Sequence, residues 1–184
     1  MILLATSNPD KYALFQDTLK AHHIEFFRLT RAVEEIQTLD LTQAAEHKAI
    51  GVYSIVKQPV VVDDAALLLD CYPQFPGTMT KDVLKLIGLR GLEKLLSGQS
   101  LKATLICHLS LCMDGQKCRH FSEAMSGVLN FAEPVEAGLA LNSVFCPDGA
   151  GATLRELEIS TPAFPTHRAK ALLGLFRWLD KHPV

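Results

Sequence analysis

A chain of 184 residues is long enough for one well-packed α/β domain and too short to require two. Its hydrophobic content of 48% and charged content of 21% are typical of globular proteins, and the net charge of −2 argues against a general nucleic-acid binder. No segment approaches the roughly 20 apolar residues that span a membrane, and the start Met1–Ala5 lacks the basic leader of a secretion signal. We therefore expect one domain over residues 1–184 that contacts neither nucleic acid nor membrane.

The cysteines favour a reducing compartment. The chain has five, an odd number without a Cys-x-x-Cys pair: Cys71, Cys107, Cys112, Cys118 and Cys146. Cys112 and Cys118 flank a predicted turn and could approach each other, but a reduced cytoplasmic protein is the better interpretation. The seven histidines show no zinc-site spacing, and His120 is most simply a surface residue.

The first eleven residues have the pattern of a phosphate-binding turn. Met1–Ala5 predicts a buried strand, and Asn8-Pro9 predicts a helix start, with Asn8 as the N-cap. A helix N-terminus presents unpaired N–H groups and the positive end of a dipole, which suits a phosphate. The turn adds short polar side chains and one cation, from Thr6, Ser7, Asn8 and Lys11. An ordinary strand-to-helix turn explains the same residues equally well.

The following elements alternate between helix and strand. A helix is predicted over residues 9–22, a strand over 24–29, and a second helix from Thr42, its expected cap, to Val56. The β-branched run Val60–Val62 then predicts a central strand buried on both faces.

Two adjacent carboxylates, Asp63 and Asp64, are expected at the C-terminal end of this strand. Buried acids are costly unless they hold a cation or hydrogen-bond donors, and ligands of α/β proteins gather at the carboxyl ends of strands. The alternative is a turn in which Asp64 caps backbone N–H groups. Because one aspartate would satisfy a cap, we favour a functional pair.

The second half of the chain predicts a hairpin and a terminal helix. Its elements are, in order, a turn at Phe75–Gly77, helices over 81–96 broken near Gly88–Gly91, strands over 101–113 and 118–131 joined at Asp114-Gly115, a strand over 139–145, a turn over 146–149 and a helix over 168–181. We expect Leu172, Phe176 and Leu179 to form the buried stripe of the last helix. This order predicts an α/β fold with a mixed β-sheet and helices on both sides.

The charged residues of these elements have the composition of a metal–polyphosphate site. They are the cations Lys11, Lys48 and Arg168 and the acids Glu35, Asp63 and Asp64. Carboxylates hold Mg²⁺ and can orient or deprotonate a water molecule, while lysine and arginine neutralise phosphate oxygens. Each residue taken alone is explained as well by a solvated surface.

Taken in order, the motifs resemble the inosine triphosphate pyrophosphatases, also called non-canonical purine NTP pyrophosphatases. The matching motifs are Thr6-x-Asn8-x-x-Lys11, Glu35 within Val33–Ile36, Lys48-Ala49, Val60–Leu67 with its paired acids, Phe75-Pro76-Gly77, Phe145–Gly149 and Thr166-His167-Arg168. They cover nearly the whole chain, and the ordered series is more specific than any single motif.

The resemblance implies a function and a set of roles. Members hydrolyse inosine or xanthosine triphosphates, and their deoxy forms, to the monophosphate and pyrophosphate, which removes aberrant nucleotides. They use Mg²⁺, form homodimers and have an elongated α/β fold with the nucleotide in a central cleft. For this chain, Glu35 and Asp64 are implied as metal ligands, and Asp63 and Asp64 as catalytic, with the base and the ligand left open. The implied substrate-binding residues are Thr6, Ser7, Asn8, Lys11, Lys48, Leu141, Asn142, His167 and Arg168.

The end of the site implied for base recognition departs from the family pattern. Leu141 replaces an aromatic platform, Asn142 replaces an aspartate, Leu14 and Pro162 replace a glutamate and a lysine, and Ala65-Ala66 replaces Ser-Gly. These departures predict a pyrophosphatase with altered or relaxed base specificity. Retained activity is expected because the acids of the metal site, facing each other without a cation, would be destabilising. The alternatives are a lapsed nucleotide-binding member of the fold, a septum-inhibition-type nucleotide pyrophosphatase and a structural interaction protein.

Overall fold

A computed structural model describes residues 2–6, 8, 11–13, 15–16, 26–30, 34–131, 140–161 and 164–182. Within them the strands are β1 (Ile2–Ala5), β2 (Phe26–Leu29), β3 (Val60–Leu69), β4 (Tyr72–Gly77), β5 (Lys102–Cys112), β6 (Cys118–Leu129) and β7 (Phe145–Pro147). The helices are α1 (Leu41–Val56), α2 (Thr80–Leu95), α3 (Leu154–Ser160) and α4 (His167–Leu179). Residues 11–13 and 15–16 are also helical, as expected for the first predicted helix, and its remainder lies outside the described residues.

The chain packs into two compact units. Unit 1 comprises Met1–Asp64, Cys107–Glu123 and His167–Val184, and unit 2 comprises Ala65–Ile106 and Ala124–Thr166. Strands β3, β5 and β6 contribute residues to both units. The single domain expected over residues 1–184 stays a prediction.

The strands form one mixed sheet in the order β2-β1-β3-β5-β6-β7, with β4 paired to β3. β1 runs parallel to β2 and to β3, and its last residue, Ala5, lies opposite Leu29 and Val62. Asp63 and Asp64 therefore follow directly after the last parallel pair. The prediction that they end the strand is wrong, because β3 continues to Leu69 and pairs there with the antiparallel β4.

Unit 1 buries β3 on both faces, because successive side chains of a strand point in opposite directions. Val61 packs in a cluster with Phe15 and with the apolar stripe of α4, which includes the predicted residues Leu172, Phe176 and Leu179. Val60 and Val62 pack in a second cluster with Ala45, Ala49 and Val52 of α1. Helices thus cover both sides of the sheet in this unit, as predicted.

Unit 2 has its own core, in which β3, β5, β6 and β7 pack with α2 and α3. Its fully buried large side chains include Leu67, Leu69, Leu92, Leu96, Leu129 and Phe145. α2 is interrupted at Gly88, whose φ of 63° and ψ of −176° are not helical, so the predicted break is confirmed. The hairpin is also confirmed, with Gly115 at a φ of 76° in the turn between β5 and β6.

Three local predictions in unit 2 are wrong or incomplete. Phe75–Gly77 is not a turn but the end of β4, where Pro76 is tolerated because β4 pairs only with β3. The strand predicted over 139–145 is a 3₁₀ turn at Leu141–Ser143 followed by β7. α3 was not predicted, although Thr153 and Glu156 form a capping box at its start.

The start of α1 differs from the prediction in its capping residue. Asp40, not Thr42, is the N-cap, and its carboxylate accepts hydrogen bonds from the N–H groups of Thr42 at 2.8 Å and Gln43 at 3.2 Å. Aspartate is the stronger cap because its charge also interacts favourably with the helix dipole.

Asp40→Ala is expected to lower the free energy of unfolding by about 1 kcal/mol, because two backbone donors lose their acceptor. Thr42→Ala is the matched control, since it changes an exposed side chain in the same turn and alanine is the better helix former. Urea unfolding of both variants measures the difference. Equal losses in the two variants would contradict the assignment of Asp40 as the cap.

Candidate active site

Hydrogen bonds from short polar side chains link the described residues that follow β1. Thr6 Oγ1 accepts a hydrogen bond from the N–H of Asn8 at 3.1 Å, and Asn8 Oδ1 accepts one from the N–H of Lys11 at 3.3 Å. Asn8 is therefore the helix N-cap, as predicted. Ser7 and Pro9 lie outside the described residues.

Arg28 on β2 holds this turn from the neighbouring strand, a role that the sequence did not predict. Its Nε donates to the carbonyl oxygen of Thr6 at 3.2 Å, and its guanidinium lies 5.9 Å from the ring centroid of Tyr12. The N–H of Thr6 also donates to the carbonyl of Leu29 at 3.0 Å. The backbone of the turn is thus fixed by β2 as well as by the helix cap.

Asp63 lies at the centre of the first charged cluster, which also contains Lys11 and Arg168. Its side chain is 0% exposed, and its two oxygens are shared between Lys11 Nζ at 2.9 Å from Oδ1 and Arg168 Nε at 2.9 Å from Oδ2. Lys11 Nζ also donates to the backbone carbonyl of Asp63 at 2.8 Å. Burial alone would raise the pKa of Asp63, but the charges of Arg168 and Lys11 outweigh it and hold the pKa below its ordinary value. Asp63 is therefore a carboxylate that positions two cations.

The second charged cluster consists of Lys48 on α1 and the acids Glu35 and Asp64. The ammonium of Lys48 lies 2.8 Å from Asp64 Oδ1 and 3.0 Å from Glu35 Oε1. Burial alone would lower the pKa of Lys48, but the two carboxylates outweigh it and raise the pKa above its ordinary value. The structure thus joins Glu35, Lys48 and Asp64, which are far apart in the sequence.

The second cluster has the chemistry of a magnesium site. Asp64 Oδ2 is buried and has no hydrogen-bond partner among the described residues. Mg²⁺ is usually held by one or two carboxylates together with substrate phosphates and water, and Glu35 and Asp64 supply such a pair. No group of three or more histidine, cysteine or acidic side chains that would hold a metal occurs among the described residues. The residues therefore fit Mg²⁺ shared with a substrate and do not form an all-protein cage.

His167 and Arg168 begin α4, and Arg168 pairs with Asp63. His167 is buried, and its Nδ1 has no hydrogen-bond partner among the described residues. Burial, assisted by the charge of Arg168, lowers the pKa of His167 to about 4, so the imidazole is neutral at pH 7. A neutral ring beside a cation offers one acceptor and one donor rather than a second positive charge.

Leu141 and Asn142 lie in the 3₁₀ turn of unit 2. Leu141 packs against the core of that unit. Asn142 Nδ2 donates to Glu158 Oε2 of α3 at 2.8 Å, while its Oδ1 is buried and has no partner among the described residues. The amide is thus oriented by a carboxylate that the sequence analysis did not single out.

The cysteines that the structure describes are all free thiols. Cys107 and Cys112 point to opposite faces of β5, as their spacing predicts, because they pack in the two different clusters of unit 1. The Cys107 thiol lies 4.0 Å from Asp63 Oδ1, and burial, followed by the charge of Asp63, raises its pKa to about 12. It is therefore no nucleophile at neutral pH.

The interpretation of His120 as a simple surface residue is wrong. Its ring is half-buried on β6 and contacts His108 and Ser110 of β5. His108 and Ser110 are two residues apart on one strand, so their side chains lie on the same face. This spacing is the sequence signal for a polar group on β5 that a neighbouring strand could contact.

No helix among the residues that the structure describes has the length and apolar character needed to cross a bilayer.

The fold and the clusters define a mixed α/β protein with a capped turn after β1 and paired acids directly after the parallel-paired residues of β3. A sequence model of the Ham1 family matches residues 2–178, and the chain belongs to this family. The resemblance to the inosine triphosphate pyrophosphatases is confirmed by relatives that carry such names.

Three relatives match nearly the full chain. A dITP/XTP pyrophosphatase of Pyrobaculum aerophilum is 34% identical over 97% of this chain and 95% of its own length. A dITP/XTP pyrophosphatase of Hyperthermus butylicus is 30% identical over 99% of this chain and 96% of its own length. Inosine triphosphate pyrophosphatase 2 of Trypanosoma cruzi is 32% identical over 95% of this chain and 89% of its own length.

Solved structures confirm the fold. A HAM1 protein from Coxiella burnetii superimposes with a TM-score of 0.80 at 20% identity, covering 98% of each chain. The Ham1 protein of Staphylococcus aureus gives a TM-score of 0.77 at 18% identity, covering 99% of this chain and 100% of its own. The expected mixed α/β class is therefore confirmed.

Proposed function

We propose that the protein hydrolyses non-canonical purine nucleoside triphosphates, such as those of inosine and xanthosine and their deoxy forms, to the monophosphate and pyrophosphate. The observation that carries the proposal is the pair of adjacent acids, Asp63 and Asp64, each held by cations from other elements in a chain that matches the Ham1 family almost end to end. The names of the relatives support the reaction and the class of base.

The first cluster and the capped turn are assigned to the phosphates. Lys11 and Arg168 are each about one-fifth exposed, so their charges are directed by Asp63 and still reach solvent. Such preorganised groups stabilise the charge that develops on a leaving pyrophosphate. Asp63 acts here as a positioning residue, because both of its oxygens are already engaged.

The second cluster is assigned to the metal and to water. Glu35 and Asp64 would hold Mg²⁺, which supplies neutralisation of phosphate charge and polarisation of the phosphorus centre when bound. We assign to Asp64 the orientation and deprotonation of the attacking water, because Asp64 Oδ2 is buried and has no hydrogen-bond partner among the residues that the structure describes. Lys48 balances the charge of both carboxylates when no substrate is bound.

The resemblance to the family implies a role in base selection for His167 of unit 1 and, separately, for Leu141 and Asn142 of unit 2. We propose altered base specificity relative to the relatives, because Asn142 presents a neutral amide whose orientation is set by Glu158. A neutral amide accepts through Oδ1, which favours a base edge that carries an N–H donor.

The direct test is pyrophosphate release from a panel of purine and pyrimidine nucleoside triphosphates, canonical and deaminated, with Mg²⁺ and with EDTA. Mg²⁺-dependent release of equimolar monophosphate and pyrophosphate from ITP, XTP or dITP is expected. Tight nucleotide binding without turnover would instead identify a lapsed member of the family. Release that prefers pyrimidine triphosphates would contradict the proposed class of base.

Lys11→Ala is expected to raise the KM for the triphosphate at least about tenfold, since a hydrogen bond from a charged donor contributes about 1.5–3 kcal/mol. Initial rates of pyrophosphate release across substrate concentrations measure it. Lys181→Ala, which removes an exposed lysine after α4, is the control and should leave KM unchanged. An unaltered KM in Lys11→Ala would remove Lys11 from the phosphate site.

We also propose a cytoplasmic homodimer. The five free thiols are typical of a reducing compartment. Leu86 on α2 is 81% exposed and Ile159 on α3 is 72% exposed, which supports an apolar contact with a second copy through unit 2. Light scattering of the purified protein tests the dimer.

A further inference from the structure

A polar cluster on β5 and β6 has no role in the proposed hydrolysis. His108 is buried, Ser110 is fully buried, and His120 reaches partly into solvent. His120 Nδ1 lies 2.9 Å from Ser110 Oγ and 3.3 Å from His108 Nε2. All three residues belong to unit 1 and come from neighbouring strands.

Two groups of this cluster compete for one ring nitrogen. A neutral His120 ring has one lone pair or one proton at Nδ1, and Ser110 Oγ and His108 Nε2 both lie within hydrogen-bond distance of that atom. If Ser110 donates its hydroxyl proton to Nδ1, the lone pair is used and is not left for His108. If Nδ1 carries the proton, that N–H can be aimed well at only one of the two acceptors.

The separation of the two imidazoles matches a shared metal ion. In a tetrahedral site with Zn–N bonds of about 2.0–2.1 Å, two ligand nitrogens lie about 3.3 Å apart and the two ring centroids about 5.2 Å apart. The observed values are 3.3 Å between His108 Nε2 and His120 Nδ1 and 5.2 Å between the centroids. A straight N–H···N bond of the same length would place the centroids about 5.6 Å apart, since each ring nitrogen lies about 1.1 Å from its centroid.

The surrounding charges favour a cation at this point. The carboxylates of Asp64 and Asp40 act on His108 through space in the direction that favours positive charge. Burial, followed by the neighbouring ring of His120, nevertheless lowers the pKa of His108, so its ring is neutral at pH 7 and keeps a lone pair for a ligand. A metal ion satisfies both conditions, because it brings charge without protonating the ring.

We propose that His108 Nε2 and His120 Nδ1 together bind one divalent transition-metal ion of the Zn²⁺ class, at a site separate from the carboxylates of Glu35 and Asp64. Imidazole nitrogen selects this class over Mg²⁺, which prefers oxygen. Among the described residues no third histidine, cysteine or acid completes the group, so water fills the remaining positions from the exposed side of His120. The Ser110 hydroxyl then hydrogen-bonds a metal-bound water in place of the imidazole lone pair.

The experiment titrates Zn²⁺ into the chelator-treated full-length protein with Mg²⁺ in large excess, and a fluorescent zinc indicator reports the competition. One equivalent is expected to bind. His120→Gln and His108→Gln should each weaken binding by at least about 10- to 100-fold, the loss that removal of supporting groups alone can cause. His182→Gln is the matched control and should bind as the wild type does, because His182 stacks on Trp178 instead.

Two further measurements keep the test decisive if a variant folds poorly. Imidazole ¹⁵N spectra of the wild type should show Zn²⁺-induced shifts at His108 Nε2 and His120 Nδ1. Asp64→Asn should retain the zinc equivalent. The proposal is overturned if the wild type binds no Zn²⁺, if the imidazole signals do not move, or if His120→Gln binds as tightly as the wild type. It is also overturned if Asp64→Asn alone removes the zinc equivalent, which would place that ion on the carboxylates.

Discussion

Asp64→Asn is expected to reduce pyrophosphate release by at least about 1,000-fold, equivalent to about 4 kcal/mol in the barrier. The amide is isosteric, but it is a weak metal ligand and no base, so both roles assigned to Asp64 are lost together. This expectation depends on Asp64 Oδ2, which has no hydrogen-bond partner within the described part of the chain. Initial rates with saturating Mg²⁺ and the best substrate of the nucleotide panel measure the effect.

The fold should survive this substitution. The side chains of Asp64 and Lys48 are 22% and 18% exposed, and Lys48 keeps its contact with Glu35 when Asp64 becomes neutral. The expected loss of unfolding free energy is therefore about 1 kcal/mol, below the range for a fully buried pair that loses one partner. Asp70→Asn is the matched control, because it makes the same change at an exposed position just after β3. Urea unfolding should place both variants near the wild type. Hydrolysis within tenfold of the wild type by Asp64→Asn would move the catalytic role to another group.

Regular periodicity made part of this fold predictable. The stripe of Leu172, Phe176 and Leu179 was read correctly from helical spacing, because the same spacing determines which side chains reach the core. Gly115 was placed correctly in a hairpin turn, because its positive φ is a local requirement. Phe75–Gly77 was misread, because its extended state depends on pairing with β3 and not on its own sequence.

The residues of the site were predictable from the sequence, but which cation contacts which acid was not. The motifs indicated which acids and cations belong to a phosphate site. Asp63 and Asp64 differ in role because Asp63 is bound by two cations that are distant in the sequence. Lys11 lies 52 residues from Asp63 along the chain, and Arg168 lies 105 residues from it. Only the fold determines that both cations meet one aspartate. The contact between His108 and His120 could not be predicted for the same reason, since the pairing of β5 with β6 brings the two imidazoles together and no sequence motif indicates it.

Asp63→Asn is expected to lower the free energy of unfolding by about 3 kcal/mol at pH 7, the lower end of the range for breaking a buried ion pair. The carboxylate is fully buried, and its neutralisation removes the negative charge that lies between the cations of Lys11 and Arg168. The value falls at the lower end because these two side chains remain 20% and 21% exposed to water. Urea unfolding of the variant against Asp70→Asn measures the difference.

The pH dependence of this difference identifies its cause. The folded protein holds the pKa of Asp63 below its ordinary value, so between the two pKa values the unfolded chain binds a proton that the folded protein does not. The stabilisation is therefore complete above about pH 4, the ordinary pKa of an aspartate, and is lost as the pH falls through the lowered folded pKa. The gap between wild type and Asp63→Asn should be constant from pH 7 to pH 5 and close below pH 4. Other carboxylates titrate equally in both proteins and cancel. A gap that persists unchanged at pH 3 would show that packing, and not the charge of Asp63, stabilises this part of unit 1.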